Sequence, residues 1–147
     1  MKHARQTIRE AAAAALSGIT GAVITTNRLK SKEAVPGIVV RTGVEVKGAD
    51  ERDSPSIQRR YDRLLTLVFV VYAAGADDVE DLLDDYAAQI EAAVGVDGTL
   101  GGKALETVYQ STNTGFQEEG EGYPLAYLEL EYRVWYRTTA VDPETSI

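Results

Sequence analysis

Apolar residues recur along the chain in two rhythms, and the change from one to the other marks out the elements. In residues 2–17, Ile8, Ala11, Ala12, Ala15 and Leu16 fall at steps of three and four, which predicts a helix that Gly18 stops. Residues 22–26 and 37–47 are rich in Val, Ile and Thr, and Pro36 bars helix at the start of the second stretch, so both predict strands. From Tyr61 to Ala73 apolar residues occupy both parities, the pattern of a central strand covered on both faces. A second helix is predicted from about Asp78 to Val94, opened by Asp77 and Glu80 as a capping box. Its inner face reads Val79, Leu82, Leu83, Tyr86, Ala87, Ile90 and Val94; Glu80, Asp81, Asp84, Asp85 and Glu91 fall on the opposite side.

Gly95, Gly98, Gly101 and Gly102 then connect to a further strand over residues 104–117, and a turn at 118–122 leads to the last one. That strand alternates clearly. Ala126, Leu128, Leu130, Tyr132, Val134 and Tyr136 take one side; Tyr127, Glu129, Glu131, Arg133, Trp135 and Arg137 take the other. The order of elements predicts an α+β fold: a mostly antiparallel sheet with two α-helices packed on one face. One domain is expected over residues 1–138, followed by a flexible tail over 139–147 in which Asp142-Pro143 interrupts any periodic face.

Between the second and third strands, residues 48–60 carry Asp50, Glu51, Arg52, Asp53, Arg59 and Arg60 and almost no apolar anchor. Such a segment cannot offset the entropy of ordering by itself, so a long mobile hairpin loop is expected. Loops of this length bind something or serve as solvated tethers, and both readings stand.

Composition narrows the function. With 147 residues and 44% hydrophobic content the chain has enough apolar surface for one packed core. Fifteen basic residues against 23 acidic give a net charge of −8, which repels a phosphate backbone. The absence of cysteine excludes disulfides, thiolate zinc sites and a thiol nucleophile. The N-terminal Lys2, His3 and Arg5 ahead of residues 11–16 imitate a secretory leader, yet Arg9 and Glu10 abut the alanine run, and an ordinary amphipathic helix is expected. Residues 64–74, interrupted by Thr66, fall short of the ~20 apolar residues of a membrane span.

Catalytic patterns are weak. His3 is the only histidine, so neither a triad nor a multi-histidine metal site can be assembled, and a solvated surface position is expected for it. The stretch 98–104 imitates a phosphate loop, but Asp97 stands where glycine is required and Ala104 where a hydroxyl is. Asp77, Asp78, Glu80, Asp81, Asp84 and Asp85 offer carboxylates to a divalent cation without the tight loop that converges them, so a solvated acidic face is expected, with a small metal-dependent enzyme as the remote alternative. Ser17 lacks the strand and the preceding glycine of a nucleophile elbow. Trp135, with Tyr127 and Tyr123, lies on the polar side of the last strand, which suits either a contact surface or packing under a loop.

In its order of elements the chain resembles the tail terminator, or minor tail protein U-like, proteins of siphophages. The likeness is carried by the alanine-rich first helix over 8–16, the strands at 36–40 and 63–73, and the helix over 77–94 with its Asp-Asp-Val-Glu-Asp-Leu-Leu-Asp-Asp run. It continues through the stretch 97–102 and the closing strand over 124–137, and so spans nearly the whole chain. The resemblance implies a non-enzymatic structural subunit without cofactor, forming a homohexameric ring that caps the tail tube. That ring would stop addition of tube protein and meet the head–tail completion proteins, while DNA passes its lumen without specific binding. It would sit in the virion tail, assembled in the host cytoplasm without a membrane. The family's long loop that orders on assembly corresponds to 48–60; the composition of this segment, and no family site, makes Asp50, Glu51, Arg52, Asp53, Arg59 and Arg60 the expected polar contacts, and the aromatic side of the last strand makes Trp135 the expected subunit or partner contact. A head–tail joining protein of the neck is the alternative within the structural class.

Overall fold

A computed structural model describes residues 2–27, 36–48, 60–74, 78–117 and 125–147. The fold is α+β: a five-stranded, mixed and mostly antiparallel sheet with two helices packed against one of its faces. In chain order the elements are α1 (Ala4–Ala15), β1 (Val23–Thr25), β2 (Gly37–Lys47), β3 (Arg60–Ala74), α2 (Val79–Val96), β4 (Glu106–Gln117) and β5 (Leu125–Thr139). The sheet runs β1-β2-β3-β5-β4; the short β1 pairs parallel to β2, and the other three pairings are antiparallel.

Side-chain alternation decides what the sheet buries. Ile38 and Val40 of β2, Leu65, Leu67, Phe69, Val71 and Ala73 of β3, and the even-numbered residues 126–136 of β5 point to the helical side. α1 meets them with Ala4, Ile8 and Ala12 one turn apart, continued by Leu16 beyond its end. α2 meets them with Val79, Leu83, Tyr86, Ala87, Ile90 and Val94, the face read from its periodicity, with Leu82 partly buried at the margin. Phe69 and Tyr132 lock β3 to β5 edge to face, their ring centroids 5.6 Å apart.

Among the described residues, helices cover the central strand on one side only, yet both of its faces are buried: Val68 and Val70 on the other side are buried too, with Arg41 opposite Val68 and Glu129 opposite Val70 on the flanking strands, the two ion-paired at 3.1 Å. The N-cap position of α2 is Asp78, which makes no side-chain cap bond; Asp77, on which the expected capping box rests, lies outside the described residues. Acids Glu80 and Asp81 remain in the first turn, where the helix dipole favours them.

β2 carries a bulge between Thr42 and Glu45. The extra residue reverses the alternation, so that Glu45 pairs with Leu65 and turns to the helical side, whereas regular alternation would have turned it away. The segment after β5 returns to the body of the domain: the Ile147 N–H donates to the Arg137 carbonyl (2.8 Å), and the Ala4 N–H to that of Pro143 (2.9 Å).

Candidate interaction surface

Trp135 lies on the face of the sheet away from the helices, in register with Leu64 of β3 and Glu106 of β4; Leu64 is in turn opposite Val46 of β2. A row Val46–Leu64–Trp135 therefore crosses three strands, with Val108 one row further along β4. No described element covers it. Trp135 is 37% exposed, and Val46 and Val108 are more exposed still. Residues of this size on a sheet face are ordinarily covered by a second layer, so the row is a ready-made contact surface.

Charged groups frame the row. The Arg137 guanidinium lies 6.0 Å from the Trp135 ring and pairs with Asp62, which holds the guanidinium's proton more firmly than usual. Arg133, two residues before Trp135 on the same side, is exposed and forms no ion pair among the described residues. Of the acids on this face, Glu129 is held by Arg41, and Glu131 accepts from the Ser111 hydroxyl at 3.3 Å.

Two of the residues singled out in the sequence are brought to this face. Arg60 opens β3 opposite Thr139 on the same side as Trp135, exposed and about 13 Å further along the strands. Asp50, Glu51, Arg52, Asp53 and Arg59 lie outside the described residues, as does Tyr123. Tyr127 lies across Gly115, where a Cβ would come 2.5 Å from its hydroxyl oxygen, so this tyrosine is part of the sheet's own packing.

A second polar constellation escaped the sequence reading. Glu45 accepts from Arg5 Nη1 (2.8 Å) and Arg63 Nη1 (3.2 Å) and from the hydroxyl of the fully buried Tyr136. Burial pushes the Glu45 carboxyl up, but the Tyr136 and Arg5 hydrogen bonds and the two guanidinium charges outweigh it and hold it below the usual carboxylate range. Burial, the bond to Glu45 and its charge raise the Tyr136 hydroxyl well above an ordinary tyrosine. His3 is not the solvated residue expected: it is half-buried, and its Nδ1 accepts from the Arg5 N–H (3.1 Å) as the N-cap of α1. Burial first, then Arg5 and Arg63, lowers its pKa. No signal in the sequence pointed to Glu45, because its orientation depends on the bulge.

The phosphate-loop lookalike is occupied by the chain itself. The Asp97 carboxylate accepts from the Thr99 N–H (2.9 Å), the Gly101 N–H (3.0 Å) and the Thr99 hydroxyl (2.5 Å), with Leu100, Gly101 and Gly102 at positive φ. Those bonds, the Thr99 hydroxyl foremost, lower the Asp97 pKa, and the backbone donors a phosphate would need are already engaged. The acids on the outside of α2 stand separately: among the described residues no three carboxylates or other metal ligands converge. A shallow groove of about 410 Å³ between the C-terminal ends of the two helices is walled by Ala11, Ala14, Ala15, Ala93, Val96 and Leu100, with Asp97 and Lys103 at its edge.

No protein-family model matches the chain, and no curated protein matches it.

Proposed function

We propose that this chain is a structural subunit of a siphophage tail, a terminator that closes the tail tube as a ring of identical copies and offers its outer face to the head-completion proteins. The observation that carries the reading is the two-sided sheet. One face is sealed by α1 and α2, while the other, which no described element covers, carries the row of Val46, Leu64 and Trp135, with Val46 and Trp135 exposed. The resemblance in element order supports the position in the tail, and the surplus of acidic residues suits a ring through which DNA slides without being gripped. In this reading the chain works by shape and contact and turns over no substrate.

Electron microscopy of particles assembled without this chain tests the reading. Overlong tails of uncontrolled length are expected. Normal-length tails detached from heads would replace the terminator with a head–tail joining protein, and intact particles would remove both. Replacing Arg59 and Arg60 together by glutamate is expected to impair tail completion; unchanged particle yield would take that part of the chain out of the contact.

A further inference from the structure

The sheet ends on β4, and that edge carries no described partner. β4 lies outside β5, beyond α2, which packs over β3 and β5. Among the four long strands it alone has no buried residue in its described part: Glu106, residues 108–114 and Phe116 are all exposed. Exposed edges are ordinarily protected by charge, proline or distortion. Residues 107–117 contain no charged residue and no proline in a chain that is 26% charged, and the one bulge, between Tyr109 and Ser111, leaves residues 111–117 in regular register. From this we infer that β4 pairs antiparallel with β4 of a second copy, about a two-fold axis at Asn113, so that the two sheets join edge to edge. A two-fold contact closes on a pair and builds no ring by itself, so the inference goes beyond the tail reading and is tested apart from it.

A second copy fits this edge better than an unrelated strand does. The chain has a net charge of −8, so two copies repel wherever their charged surfaces face one another, whereas along 107–117 they can meet without like charge. The edge is also self-complementary. Tyr109 and Phe116 lie near its two ends, 46% and 60% exposed, and both are on the helical side, opposite Tyr132 and Ala126 of β5. Antiparallel pairing centred on Asn113 sets Thr112 of each copy opposite Thr114 of the other, and it brings each Tyr109 alongside the other copy's Phe116. Both exposed rings are then covered, once at each end of the ladder. The opposite edge of the sheet offers no comparable partner, because β1 has three residues.

Acids bound the neutral run. Glu106 precedes it and Glu118 and Glu119 follow in the sequence, so antiparallel pairing brings acid towards acid at both ends of an uncharged centre. Association should therefore tighten as salt screens those charges, the opposite of a contact made by ion pairs. The helices leave room for it. Two β4 strands lie between β5 of one copy and β5 of the other, three strand spacings or about 14 Å, more than the ~10–12 Å diameter of a helix.

Sedimentation velocity of the full chain across a concentration series, at low and high salt, tests the pairing. Concentration-dependent association that strengthens in salt is expected. Thr114→Lys, which sets a charge on the edge beside its own symmetry copy, and Phe116→Ser, which removes the ring, should each weaken it by about tenfold or more. Both positions are exposed, and circular dichroism melts should stay close to the wild type. The chain has no cysteine, so a single introduced thiol reports on the axis directly. On mild oxidation at ~0.1 mM, Asn113→Cys should cross-link about tenfold faster than Ala92→Cys, which is also exposed but lies on α2. A wild type that stays monomeric at ~1 mM in high salt, association that weakens as salt rises, Thr114→Lys and Phe116→Ser chains that associate like the wild type, or cross-linking no faster at 113 than at 92 overturns the pairing and leaves the tail reading to the tail-length experiment.

Discussion

Removing the Glu45 carboxylate tests the fold's polar joint. Only 13% of the Glu45 side chain is exposed, against 18% for Arg63 and 43% for Arg5, so the three partners do not contribute equally. Arg5 can turn to water, and its pair is worth little. The Tyr136 hydroxyl cannot, because the residue is fully buried; in Glu45→Ala that donor loses its acceptor, at a cost of about 1–3 kcal/mol. Arg63 is left largely shielded without its carboxylate, which adds about 1 kcal/mol after allowing for partial exposure. The expected loss at pH 7 is therefore about 3 kcal/mol, a large share of the ~5–15 kcal/mol that a domain of this kind has. Glu45→Gln keeps an acceptor for Tyr136 and should lose only about 1 kcal/mol. Urea unfolding followed by circular dichroism measures both, with the midpoint shifting and the slope unchanged. The sign with pH follows from the lowered Glu45 pKa. Its contribution is complete above the unfolded carboxylate value, ~4.3, and is lost as pH falls through the folded one, so wild type and Glu45→Gln should converge in acid. A loss below about 0.5 kcal/mol for Glu45→Ala would refute the reasoning, since Tyr136 would then have found another partner.

His3 should make stability sensitive at milder pH. With its folded pKa lowered, its contribution is complete above the unfolded value of ~6.5 and declines as pH falls through the folded one. His3→Asn keeps a capping acceptor without titrating and should remove the slope that sets in below about pH 6.5 in thermal melts. Phe69→Ala, at the fully buried centre of β3 against Tyr132, should cost about 3–5 kcal/mol in urea titrations. Gly48→Ala should cost about 1–3 kcal/mol, because the new Cβ would lie 2.8 Å from the Cβ of Asp62, an atom no rotamer change can move; a neutral result would mean that the backbone between β2 and β3 yields freely.

The hydrophobic periodicities of α2 and β5 named their buried faces correctly, because each element buries one face and burial is written at its own period. The same logic failed for Glu45. A single extra residue in β2 inverts the alternation, and nothing local to residues 42–45 says where a strand will bulge. His3 was misread for a related reason: its surroundings are supplied by Arg63 and Glu45, 60 and 42 positions away. For the contact surface, composition and alternation placed Trp135 on the polar side of its strand. Only strand pairing put Leu64 and Val46 beside it, and only the placement of both helices on the other face left that row uncovered by any described element. By itself, then, the sequence determined the identity of most elements and the inward face of the most periodic ones, since period and propensity are properties of short stretches of chain. Tertiary structure decided which side of the sheet the helices cover and which charges pair across the strands, because both depend on residues that meet only when the strands pair.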